Sequence, residues 1–124
     1  MGDIDGLVDS FITALEGNGT EALTGNLAPG AVVWHNHDRQ EVDAIDNMAG
    51  IAMLGKIVQD AKFETVRLAP LADGFVLQFV LRGTVTSNGK PFEMQNAVII
   101  TTADGQITRI DEYVDPTVGA QLSA

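Results

Sequence analysis

Apolar residues at Ile4, Leu7, Val8, Phe11, Ile12 and Leu15 recur at steps of three and four, which predicts an amphipathic helix over 4–15. Asp3 stands where an N-cap would, and Gly17-Asn18-Gly19 is a natural stop. Thr20 can cap a short second helix reaching about Asn26, and Ala28-Pro29-Gly30 then turns the chain. Ala31 to His37 (AVVWHNH) is β-branched and aromatic enough for a strand. The polar stretch Asp38 to Val42 leads to a third helix from about Asp43 to Val58, with Ile45, Met48, Ala49, Ala52 and Ile57 on a wide apolar face. Gly50 and Gly55 weaken that helix.

The second half carries three hairpin dipeptides, Asp73-Gly74, Asn88-Gly89 and Asp104-Gly105, spaced 15 and 16 residues apart. Four strands fit around them, at about 61–72, 75–87, 91–103 and 106–114. Pro70 marks an edge or a bulge near a strand end. A meander alone would leave an apolar face wet, so the helices must cover it. The expectation is an α+β domain, one unit over 1–124, with a bent antiparallel sheet and three N-terminal helices packed into its concave face.

Composition narrows the function. The chain has 124 residues, a formal charge of −10 and no Cys. Phosphate-driven nucleic-acid binding and anionic membrane surfaces both need clustered Lys and Arg, so neither is expected as a partner. The lack of Cys excludes disulfides, thiolate metal sites and Cys nucleophiles. No apolar run approaches a membrane span, and Met1 to Asp5 does not read as a signal peptide, so a cytoplasmic protein is expected. There is no Gly-x-Ser-x-Gly turn, P-loop or Gly-x-Gly-x-x-Gly fingerprint, and no cofactor is expected.

The segments AVVWHN at 31–36, GFVLQFVLRG at 74–83 and GQITRIDEYVDP at 105–116, in the order helix, helix, strand, helix, four strands, resemble the SnoaL-like branch of the nuclear transport factor 2-like superfamily. The resemblance covers nearly the whole chain, and its most specific part is the ending: an Asp-Gly turn, Ile-Thr-Arg, then Glu-Tyr-x-Asp. It implies a cone-shaped fold with one deep pocket, often in a homodimer. Polyketide cyclases, ketosteroid isomerase, scytalone dehydratase and limonene-epoxide hydrolase share that fold, as do many members without known activity. Fold alone does not choose among them.

Strand alternation divides the candidate site residues into two sets without saying which faces inward. Matching Glu112 before Tyr113 to the acid of the epoxide-hydrolase branch implies that Gln78, Val80, Arg82, Met94 and Asn96 face the pocket with Glu112. Leu77, Phe79, Leu81 and Ile99 then form an outer apolar patch, which suggests a twofold dimer through the sheet. The alternative is that this apolar set is simply the core and the polar set faces water.

Glu112 is the first candidate for chemistry. An acid in an apolar pocket has its pKa raised and can shuttle a proton near neutrality. An ion pair with Arg82 would instead lower it and leave Glu112 a pocket prop. Arg82 could hold a carboxylate, enolate or carbonyl oxygen, or be solvated at a strand end. Gln78 and Asn96 could position a ligand through their amides. Trp34 and Asn36 match, with a one-residue shift, a Tyr-x-Asn pair of the epoxide-hydrolase branch, although an indole N–H can only donate. Without the shift His35 and His37 point inward, and His35 becomes a natural general base. His-x-His beside Asp38 lacks a distant third ligand, so no metal is expected. Met48, Met53 and Met94 offer an adaptable apolar lining, Met53 more as ordinary core, and Asp111, Asp115 and Tyr113 fall at the surface or a dimer seam.

The acid–Arg–acid set of the epoxide-hydrolase branch is incomplete: only Glu112 remains of the acids, and the isomerase branch's first-strand base is replaced by His35 or Asn36. The combined reading is a small-molecule pocket protein. Its activity would be cofactor-independent isomerisation, aldol-type cyclisation or dehydration of a small apolar carbonyl or hydroxyl compound, with Glu112 or His35 as the proton shuttle. The alternatives are a ligand-binding protein without turnover and a dimeric scaffold.

Overall fold

The computed structural model describes residues 3–123. In chain order these form α1 (Asp3–Leu15), α2 (Glu21–Gly25), β1 (Leu27–His35), β2 (Gln40–Asp43), α3 (Ala44–Ile57), β3 (Val58–Leu71), β4 (Gly74–Val85), β5 (Pro91–Ala103), β6 (Gln106–Val114) and α4 (Val118–Ser123). The architecture is α+β, with six strands in one sheet of order β2-β1-β6-β5-β4-β3. The side chain of Asp3, and with it the expected N-cap, lies outside the described residues.

The apolar stripe of α1 buries Leu7, Val8, Phe11 and Leu15, and each such side chain contributes about 1.5–3 kcal/mol when fully removed from water. At the end of this helix Glu16 accepts the backbone N–H of Phe63 at 2.8 Å, which ties α1 to edge strand β3. The third helix starts as its sequence demands: the Asp43 carboxylate accepts the N–H groups of Ile45 and Asp46 and satisfies two donors with no helical partner. Its apolar face is narrower than the sequence suggests. Only Ala44 and Met48 are buried, while Ile45 and Met53 are more than half exposed.

The hairpins form where the Gly dipeptides stand. Asp104 and Gly105 both take positive φ (54° and 77°), the pair of conformations a two-residue hairpin turn requires. Pro70 lies on the edge strand, where its missing N–H costs no ladder bond within the sheet. The bulges of β3 occur elsewhere, between Gln59 and Lys62 and between Thr65 and Arg67.

Two features depart from the expected sheet. Strand β1 runs parallel to β6, with Val33 opposite Ile110 and His35 opposite Glu112. The polar stretch before α3 is itself a strand, β2, exposed along its whole length and paired with β1 alone. An edge strand with both faces wet carries no hydrophobic alternation, so its composition reads as a loop. The last helix, α4, was likewise not legible. It rests Val118 and Leu122 on the core, and Gln121 clamps the backbone N–H and C=O of Glu93 where β6 no longer reaches them.

The phase of β4 decides which face is which. Phe75, Leu77, Phe79 and Leu81 are at most 2% exposed and belong to the core beneath the helices. The expected outer patch of Leu77, Phe79 and Leu81 is therefore interior, and of that set only Ile99 is exposed. Register explains the error: Phe79 pairs with Asn96 and Leu81 with Met94, so the odd positions of β4 share a face with the even positions of β5. Burying three large apolar side chains outweighs any arrangement that would desolvate Arg82 and Gln78 on the same face. Accordingly, Leu77→Ala should destabilise by about 2–5 kcal/mol in urea unfolding, whereas Gln78→Ala should stay within about 0.5 kcal/mol of wild type. The opposite ranking would reverse the strand phase.

Candidate functional site

Between α1, α3 and the inner face of the sheet lies a hollow of ≈ 280 Å³. Phe11 and Leu15 enter from α1, Met48, Ile51 and Leu54 from α3, and Val33, Phe79, Met94, Val98 and Ile110 from the sheet. Its polar lining consists of His35, His37, Asn47 and Glu112. The volume is near the lower end for small-molecule sites, and the balance of many apolar walls against a few convergent polar groups is typical of them.

The parallel ladder sets His35 and Glu112 side by side. His35 Nε2 lies 3.2 Å from Glu112 Oε1, with the two side chains 16% and 27% exposed. The other carboxylate oxygen accepts from the Nδ2 of buried Asn96 at 3.0 Å. That contact fixes the amide's orientation, since the flipped form would set its oxygen against the carboxylate oxygen, acceptor against acceptor. On the helix side Asn47 shares the lining with His35 and favours its protonated form.

These contacts set the charges. The hydrogen bond that His35 donates to Glu112 raises the pKa of His35 above its ordinary 6.5. Burial opposes the rise, while the charges of Glu112 and Asp38 and the Asn47 contact add to it. For Glu112, burial is the largest single influence and pushes its pKa up. The hydrogen bonds of His35 and Asn96, with the charges of His35 and His37, outweigh burial together, and the carboxyl lies below its ordinary 4.5. Between those two values the pair is an imidazolium–carboxylate facing an apolar space.

Five candidates lie elsewhere. Arg82 projects from the outer face and pairs with Glu64 and, at 3.2 Å, with Glu93, not with Glu112. Gln78 and Val80 line an open outer groove of ≈ 460 Å³, whose titratable lining groups are Tyr113 and Asp115. Trp34 is on the outer face and packs against Tyr113 with ring centroids 5.4 Å apart. Asn36 continues the β1–β6 ladder: its side chain donates to the Val114 carbonyl at 3.3 Å and accepts the Val114 N–H at 3.0 Å. The shifted match that turned Trp34 and Asn36 inward therefore fails, and the unshifted reading places His35 inside.

Glu112, His35, Asn96, Met94 and Met48 do come together at or beside the hollow. Met53, by contrast, is 55% exposed. Sequence reasoning missed Asn47. Its signal was a polar residue on the same helix face as Ile51 and Leu54, at steps of four and three. His37 lies at the rim, about half exposed and 3.6 Å from Asp38. Among the described residues no group of three or more His, Asp or Glu is placed to hold a metal ion. No described helix is long and apolar enough to cross a membrane.

Residues 8–110 match the family model described as SnoaL-like domain. No curated protein matches the sequence. Among solved structures, the chain is similar to a Jannaschia sp. CCS1 protein described as a SnoaL-like polyketide cyclase, at 19% identity and TM-score 0.82 over 98% of this chain and 92% of that one. TsrD from Streptomyces laurentii matches at 19% identity and TM-score 0.80, covering 98% and 96%. A Bacillus subtilis protein described as an isomerase matches at 19% identity and TM-score 0.74, covering 95% and 92%. At these identities the likeness is one of fold.

The paired charges make stability depend on pH with a defined sign. The raised His35 contributes fully below about 6.5 and is lost as pH climbs through its folded value. The lowered Glu112 contributes above about 4.5 and is lost as pH falls through its folded value. Wild type should therefore gain most over Glu112→Gln between those limits in urea melts at a series of pH values. In the same variant the His35 ring-proton NMR titration should move to lower pH. An unmoved titration would mean that the pair does not form.

Proposed function

This chain belongs to the SnoaL-like domain family, and we propose that it acts on a small apolar carbonyl or hydroxyl compound held in the His35–Glu112 hollow, without a cofactor. The observation that carries this reading is a half-buried acid–imidazole pair opening onto an apolar space. His35 is the proton-carrying group. Glu112, held below the usual carboxylate range, is a weak base, and it orients and stabilises the protonated ring. Below its raised pKa His35 donates to a carbonyl or leaving hydroxyl oxygen and, once neutral, takes up the proton that carbon releases, as dehydration or aldol-type cyclisation requires. Above it the neutral ring accepts a proton from carbon, as isomerisation requires.

The occupied state of Glu112 favours a second reading. Both of its oxygens are already engaged, by His35 and Asn96, which suits a ligand-binding protein without turnover. We also infer a homodimer through the outer sheet face, supported by exposed Val66, Ile99 and Tyr113 there. A monomer mass at all concentrations in light scattering would remove it.

Proton transfer can be read without the natural substrate. In D2O, wild type should exchange the α-protons of 2-tetralone above the buffer background, and His35→Asn should lose about 10²–10⁴ of that rate. Exchange at background with saturable binding would leave the binding protein. Equal exchange in wild type and His35→Asn would remove His35 from the chemistry.

A further inference from the structure

Helix α3 carries two glycines in its interior, and a helical Gly is less favourable than Ala by roughly 1 kcal/mol. One has a packing reason: a Cβ on Gly55 would come within 3.2 Å of the Gly17 Cα. Gly50 has none, because a Cβ there would meet nothing within 4 Å. Gly6 in α1 is equally unobstructed, but it is not part of the hollow's wall. Gly50 is part of that wall and is exposed to solvent as well.

Its place on the helix says what a side chain would do. Asn47, Gly50 and Leu54 follow at steps of three and four and share one face. Helical side chains lean toward the N-terminal turn, so a side chain at 50 would extend over Asn47, which lines the hollow with His35. We propose that Gly50 is the aperture of the hollow: its missing side chain keeps the entrance beside Asn47 and His35 open and sets the width of ligand the hollow admits. The helix gives up local stability at this position in exchange for access. This inference rests on the hollow taking up small molecules.

The hollow has built-in reporters, since Met48 and Met94 line it while Met53 is outside. The full chain, labelled with methyl-13C methionine, is titrated with one-ring cyclohexanone and two-ring 2-tetralone. In wild type both ketones should shift the Met48 and Met94 methyls and leave Met53 in place. Gly50→Leu should weaken 2-tetralone by at least about tenfold, a loss in the range that one badly fitting methylene group produces, and weaken cyclohexanone less. Gly50→Ala should melt higher than wild type and keep cyclohexanone. Ala49→Leu, a neighbouring exposed position outside the lining, should bind both ketones as wild type does. Unchanged 2-tetralone affinity in Gly50→Leu, or an equal loss in Ala49→Leu, would overturn the aperture alone. If neither ketone moves Met48 or Met94 in wild type, the hollow does not take up such molecules, and the binding reading fails with it.

Discussion

The parallel ladder between β1 and β6 holds the Cα of His35 opposite that of Glu112, and the chemistry of the hollow depends on that pairing. A carboxylate among apolar side chains is penalised by several kcal/mol unless its oxygens are satisfied. Here the imidazole takes one oxygen and the Asn96 amide the other. The backbone bears the positioning. Asn36 extends the ladder beyond His35 by bonding both polar groups of Val114, so the pair sits inside a continuous hydrogen-bonded strip rather than at a frayed end.

The same sheet separates two electrostatic environments. On the inner face, Glu112 is the carboxylate of the hollow and its partner is a titratable ring. On the outer face, Arg82 with Glu64 and Glu93, and Arg109 with Glu41 and Asp111, form clusters beside water. Exposed pairs of this kind contribute little to stability. They do keep the guanidinium groups engaged outside, so a net charge of −10 coexists with an interior pair that is nearly neutral as a unit.

Much of the fold was legible. The stripe of α1 and the three Gly turns each state a local preference that the fold obeys. Strand β2 and helix α4 were not legible, because neither announces itself: one is exposed on both faces, the other is a six-residue helix that owes its place to Gln121 and two apolar side chains. Of the site, the sequence singled out Glu112, His35, Asn96, Met94 and Met48 as residue types. It could not say that His35 and Glu112 touch, since they lie 77 positions apart and on strands whose pairing is parallel.

The chain by itself determined where strands turn, which residues alternate together and which chemical groups were on hand, because these follow from steric and apolar preferences over a few neighbouring residues. Only the tertiary structure decided which alternating set lines the hollow. Both phases of β4 satisfy local rules equally, and the choice between them comes from burying Leu77, Phe79 and Leu81 under helices from the other half of the chain while Arg82 and Gln78 stay hydrated.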